Sequence, residues 1–205
     1  MSIQTGASAL EKEHGGRGAT PMEMIIWNQE ESKYDVPASP FAIGLGMCGP
    51  VVAGFASEEN KARYLPKMTR GEEIWCQLFS EPAGGSDVAN LRTRAVRDGD
   101  EWVVNGQKIW TSRAEHSDLM VLLARTTPKE EVAKKTQGLS VLLVDMREAK
   151  GLTIRPIRSL AGEAEFNEVV FEDCFVPDDR VVFVPGLYGE IGDSLWPNLV
   201  NLVVL

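Results

Sequence analysis

The feature that most constrains this chain is a change of hydrophobic period near Ile74. Before it the signals are helical. Thr20-Pro21-Met22-Glu23 has an N-cap hydroxyl, Pro at the first helical position and Glu at the third, the arrangement of a capping box. Met22, Ile25, Ile26 and Gln29 follow at helical spacing, which predicts a helix packed on a neighbour and ending before Pro37. Ser57-Glu58-Glu59 opens a second helix through Tyr64-Leu65, stopped by Pro66 and closed out by Gly71. The uncharged, glycine-broken run from Pro40 to Ser57 reads as a buried, tightly packed helical segment. It is too short and interrupted for a membrane span, which needs about 20 apolar residues.

After Ile74 the text turns to short strands and tight turns. Arg92–Arg97 alternates, Asp98-Gly99-Asp100 turns, and Glu101–Val104 runs back, a hairpin signal. Asn105-Gly106 predicts another turn into Lys108–Thr111. Leu119–Ala124, Leu139–Val144, Leu152–Ile157 and Asn167–Phe171 are further apolar runs, with PKEEVAKKTQ (128–137) a charged surface loop between them. Strands at this spacing predict an antiparallel barrel or sandwich, so the fold class is α+β.

Charge narrows the partners. The 205 residues carry a formal charge of −9, which repels nucleic acid and anionic membranes. Any anionic ligand therefore needs local donors. Cys48, Cys76 and Cys174 lie far apart and read as reduced structural thiols of a cytoplasmic protein. His14 and His116 sit in no ligand-spaced cluster, so no metal site is expected and both read as surface histidines. The N-terminus lacks the basic start and apolar core of a signal peptide.

Two stretches carry chemistry. LFSEPAGGSD (78–87) places a rigid corner and glycines after a buried-looking segment. It can be a plain turn, or a cradle whose backbone N–H groups approach a phosphate. GQKIWTS (106–112) ends a predicted strand with Trp110, Thr111 and Ser112, an aromatic beside two hydroxyls. Together the stretches offer backbone donors, hydroxyls and an aromatic surface, a set suited to a planar, phosphate-bearing cofactor. A nicotinamide fold is disfavoured, because no GxGxxG joins a strand to a helix.

The sequence resembles the acyl-CoA dehydrogenase family. The resemblance rests on YLPKMTRGEE (64–73), WCQLFSEPAGGSD (75–87), LRTRAVRDGDEWVVNGQKIWTS (91–112), GLSVLLVDM (138–146) and FNEVVFEDCFVPDDRVV (166–182), with 13–35 similar to the later N-terminal helical domain. It implies a partial helical domain over 1–74, a middle β-barrel domain over 75–184 and an atypical segment over 185–205. It also implies FAD, α,β-desaturation of an acyl-CoA thioester, electron-transfer flavoprotein as acceptor and a homo-oligomer. Gln77, Leu78, Phe79 and Ser80 are expected to line the flavin, with Ser80 bonding the isoalloxazine. Ser86 is expected near CoA, and Trp110, Thr111 and Ser112 along the ring.

Three departures from the family pattern stand out. Ala83-Gly84 reverses the usual order, and Arg113 replaces a small or amide residue. After Val182 the resemblance fades, so the C-terminal helical domain and its catalytic glutamate are expected to be absent. A positioned carboxylate base contributes roughly 10²–10⁴-fold in rate, and Glu81 reads instead as a structural carboxylate accepting nearby N–H groups. Glu163, Glu165 and Glu168 are the remaining candidates for a base. The alternatives are a non-catalytic flavin- or CoA-binding fragment and an acyl-CoA oxidase. Leu195, Trp196, Leu199, Val200 and Leu202–Leu205 form an uncharged apolar tail, expected to pack poorly or to drive self-association.

Overall fold

The computed structural model describes residues 10–35 and 39–182. The apolar tail and the rest of 185–205 lie outside the described residues.

Helix α1 (Pro21–Glu31) begins as its sequence dictates. The Thr20 hydroxyl accepts the Glu23 N–H, and Glu23 returns a 2.7 Å bond to the Thr20 N–H. Its apolar stripe behaves otherwise: Met22, Ile25 and Ile26 are 64%, 51% and 53% exposed, so this face has no partner among the described residues. The run from Pro40 becomes a π-helical turn (Gly44–Cys48) leading into α2 (Gly49–Phe55). A side-chain carbon on Gly49 would stand 3.1 Å from the Met68 sulfur, which is why this crossing takes glycine.

Helix α3 (Glu58–Arg70) is capped by Ser57 and ends at Gly71, whose φ of 69° closes the last turn. It does not stop at Pro66. Proline inside a helix costs about 3 kcal/mol, but Leu65 and Met68 on either side are fully buried. Each such side chain contributes about 1.5–3 kcal/mol, so burial outweighs the lost hydrogen bond.

The strands are β1 (Trp75–Leu78), β2 (Arg94–Asp98), β3 (Glu101–Ser112), β4 (Leu119–Arg125), β5 (Leu139–Asp145), β6 (Leu152–Ile157) and β7 (Phe166–Pro177). They form one curled sheet in the order β1-β4-β2-β3-β7-β6, with β5 on β4. Most ladders are antiparallel, but the sheet is mixed. β1 and β4 run parallel from Trp75–Leu119 to Leu78–Leu122, and β2 touches β4 through one parallel bridge. The reason is connectivity: the β2–β3 hairpin occupies the excursion between β1 and β4, long enough for the crossover that parallel pairing requires.

Strands β4 and β5 are buried on both faces, so they read as continuous apolar runs. Leu119, Val121 and Leu123 face the helices with Leu65, Met68 and Trp75, whereas Met120, Leu122 and Ala124 face Val104, Val169 and Phe171. Tyr64 meets Trp75 edge to face at 5.4 Å across the helix–sheet junction. Buried Glu73 seals that junction, with Arg63, Lys67 and Arg147 at 3.1, 3.6 and 3.5 Å. All three cysteines are free and buried, and burial pushes the Cys76 thiol up to about 12 and Cys174 to about 11. They are packing residues, inert as thiolates.

Asn105-Gly106 is no turn. It lies within β3 at a register shift against β7, and Gly106 has φ 152°. A side-chain carbon there would fall 2.6 Å from the Thr93 Cα. We expect Gly106→Ala to destabilise the chain by about 2–3 kcal/mol in urea denaturation. Gly46→Ala, with nothing within 4 Å, should be neutral or gain up to about 1 kcal/mol.

Candidate functional site

The two chemistry-bearing stretches meet where β1 leaves the sheet and β3 breaks its ladder. Lys108 is the last β3 residue in register, opposite Val169, and pairing resumes at Thr111 opposite Asn167. Ile109 and Trp110 therefore lie opposite Glu168 alone, a β-bulge. The bulge frees the Ile109 N–H, which donates to the Ser80 carbonyl at 3.0 Å. Trp110 takes a φ of 61°, costly for an aromatic residue. Its indole is 58% exposed and meets Phe166 edge to face at 6.2 Å.

Alternation after the bulge puts Trp110 and half-buried Ser112 on one face, with Thr111 between them pointing inward. Thr111 and its cross-strand neighbour Asn167 are both buried, and neither side chain has a hydrogen-bond partner among the described residues. Leu78 and Phe79 are buried in the two separate cores, so only their backbones face this junction. Gln77 and Ser80 are half-buried and Ser86 is exposed.

Beneath this surface lies a buried ion pair. Lys108 Nζ donates to Glu81 Oε1 at 2.8 Å and to the Phe79 carbonyl at 3.1 Å. Glu81 also accepts the backbone N–H groups of Arg92 at 2.6 Å and Thr93 at 2.9 Å. Burial pushes the Glu81 carboxyl up, but Lys108 and these donors outweigh it and hold the group below its ordinary value. Burial pulls Lys108 down to about 8, against the opposing pull of Glu81. Glu81 is thus fully committed, the structural carboxylate its loop position suggested. Lys108 was missed; its signal was a charged residue at an inward position of an alternating strand. Phe166, Trp110's aromatic neighbour, was missed too, because cross-strand register is not written in a single strand.

The loop itself is tight. Glu81 and Gly84 exchange backbone hydrogen bonds of 3.2 and 3.0 Å around Pro82-Ala83. Neither Ala83 nor Gly84 occupies the left-handed region, so the reversed order costs no dihedral strain. Arg113 does occupy it, at φ 57°, the reason a small or amide residue suits that position. The 128–137 segment is more than a surface loop: Lys135 pairs with Asp87 at 2.6 Å, and Arg125 ties Ala89 to Lys135 and Gln137. Clefts of about 440 and 480 Å³ lie elsewhere, around Glu101–Arg180 and Leu10–Lys61. Glu11, Glu13 and His14 bring ligand atoms within 4.8 Å of one another, contrary to the unclustered reading of His14, in an exposed acidic group with no further ligand feature. No helix among the described residues is long and apolar enough to cross a membrane.

A curled mixed sheet with helices packed on one face of its buried strands defines a family resemblance that comparison settles. The family model of the acyl-CoA dehydrogenase N-terminal domain matches residues 5–72, and that of the middle domain residues 76–174. Acyl-CoA dehydrogenase IpdE1 of Mycobacterium tuberculosis is 42% identical over 175 residues, covering 85% of this chain and 44% of the relative. FadE34 of the same organism is 44% identical over 167 residues, covering 82% and 23%. Among solved structures, the ChsE4-ChsE5 complex from Mycobacterium tuberculosis superposes with TM-score 0.79 at 33% identity over 94% of this chain and 48% of that one. Acyl-CoA dehydrogenase from Geobacillus kaustophilus gives 0.77 at 29% over 96% and 52%. A glutaryl-CoA dehydrogenase from Mycobacterium smegmatis in complex with FADH2 gives 0.61 at 26% over 76% and 37%. The chain belongs to the acyl-CoA dehydrogenase family. It spans less than half the length of these curated relatives.

Because folding lowers the Glu81 pKa, its contribution to stability is present above the ordinary value of 4.5 and is lost as pH falls through the lower folded value. Glu81→Gln should cost about 3–5 kcal/mol at neutral pH by leaving Lys108 buried without its counter-charge. Denaturant midpoints measured down the pH scale should show wild type and variant converging below 4.5.

Proposed function

We propose that this chain supplies the flavin-facing part of an FAD-dependent acyl-CoA dehydrogenase. The observation that carries the reading is the joining of SEPAGGSD to IWTS by the 3.0 Å Ile109–Ser80 bond, beside an exposed Trp110 held at positive φ. The donor set fits the cofactor: an aromatic face for a planar ring, hydroxyls at Ser80 and Ser112, and free edges of backbone. FAD, when bound, supplies the hydride acceptor for the β-carbon of an acyl thioester.

The residues of the chain divide the remaining work. Gln77, Leu78 and Phe79 present the backbone edge of the wall, and the Ser80 hydroxyl would donate to the flavin ring. Trp110 would offer its ring face and Ser112 its hydroxyl to the flavin, and Thr111 is buried in the strand between them. Ser86 meets the CoA portion. An electron-transfer flavoprotein would be the acceptor partner, in a cytoplasmic setting. The exposed apolar face of α1 supports association with further chain, as an oligomer requires.

The α-proton of the substrate needs a base that these residues do not supply. Glu81 is spent on Lys108 and two N–H groups, and Glu168 is bonded to Gln107 and Arg155. Glu163 and Glu165 lie exposed between β6 and β7.

Titration of the purified 205-residue chain with FAD should quench tryptophan fluorescence, and Trp110→Leu should weaken binding by about tenfold. Acyl-CoA-dependent dye reduction by the chain alone should stay at background. Absence of any FAD uptake at high micromolar concentration would sink the flavin reading. Robust turnover would instead assign a base among Glu81, Glu163, Glu165 and Glu168.

A further inference from the structure

We propose that Lys108 and Glu81 are positioning residues that set the register of the flavin wall, so that cofactor affinity, and not stability alone, depends on the pair. The inference rests on the reading of that wall as a flavin surface.

The geometry is a three-rung zipper. Consecutive carbonyls and a side chain of the loop are each held from consecutive residues of β3. Lys108 takes the Phe79 carbonyl, Ile109 takes the Ser80 carbonyl, and Lys108 again takes the Glu81 carboxylate. Glu81 then passes the constraint to β2 through the N–H groups of Arg92 and Thr93. Three separated segments are therefore indexed against one another at a single ammonium.

Stability alone does not account for a charge at this place. Lys108 has no exposed surface. A buried ion pair seldom outperforms apolar residues of the same volume, and its best-attested use is to fix register. Register is what this site needs. Lys108 is the last in-register residue before the bulge, and a slip of one residue in a strand exchanges its two faces. Shifting the bulge by one would bury Trp110 and Ser112 and present Ile109 and Thr111 instead. Methionine or leucine at position 108 would fill the space equally well but bond to neither Phe79 nor Glu81.

The test uses the full chain with Lys108→Met and Glu81→Gln, and with Val52→Ala as reference. Val52 is fully buried in the helical core, so its truncation lowers the melting temperature without touching the wall. Two quantities are read: hydrogen exchange at the Ile109 amide without cofactor, and FAD affinity by fluorescence. Both pair variants should exchange Ile109 at least about tenfold faster and bind FAD about tenfold more weakly, while Val52→Ala holds both within about twofold. If Lys108→Met fails to fold, Glu81→Gln decides. Unchanged Ile109 exchange in the pair variants overturns the zipper. Faster exchange with unaltered FAD affinity, or equal loss in Val52→Ala, overturns the positioning role. If the unmodified chain takes up no FAD, the flavin reading fails, and Ile109 exchange still decides the zipper.

Discussion

The structure depends on a pair of strands, β4 and β5, with no solvent face. Their side chains alternate between two cores, one shared with the helices and one inside the curled sheet. The other strands and helices α2 and α3 are placed relative to that partition. β1 pairs along one edge of β4 in parallel, which brings its C-terminal end, and the loop from Phe79, to the side where β3 breaks its ladder. The ion pairs at Glu73 and the Tyr64–Trp75 contact then fix α3 against the same partition. Apolar burial sets the distances; the polar contacts set the angles.

Strain gathers at the site. Trp110 and Arg113 both hold positive φ within four residues, each at a cost of about 1–3 kcal/mol. Thr111 and Asn167 add buried polar groups without partners among the described residues, and an orphaned group costs about 1–3 kcal/mol. Elsewhere in the described β-strands and their turns, positive φ falls on glycine except at Asp173, at 49°. A surplus of several kcal/mol spent in one short stretch is expected where geometry serves a ligand. The two fully buried strands supply the stability that tolerates it.

Much of this was legible in the sequence. The capping box at Thr20, the hairpin at Gly99 and the double-sided strands each have a local signature, because they arise from neighbouring residues. The two motifs of the site were legible as motifs, but what joins them was not. The parallel β1–β4 ladder depends on partners some forty positions apart. Pro66 in mid-helix and the bulge at Gly106 follow from tertiary burial and from the approach of Thr93. Local rules give the opposite answer at both. The exposed stripe of α1 shows the converse limit, since periodicity predicts an apolar face but not what covers it.

The same limit bears on the wall. Pockets that hold a cofactor bury about 70–90% of its surface, and one face of a sheet cannot do that. Trp110 and Phe166 stand open, and the clefts around Glu101–Arg180 and Leu10–Lys61 lie away from them. A flavin on this wall therefore needs a second surface opposite the aromatic pair. Met22, Ile25 and Ile26 also expose apolar area at helical spacing, on α1, a helix with no buried residue. Both features point to the same kind of completion, a further helical layer supplied from beyond the described residues. With a net charge of −9, the chain offers an anionic cofactor no general attraction, so the few local donors of the 80–87 loop must hold it.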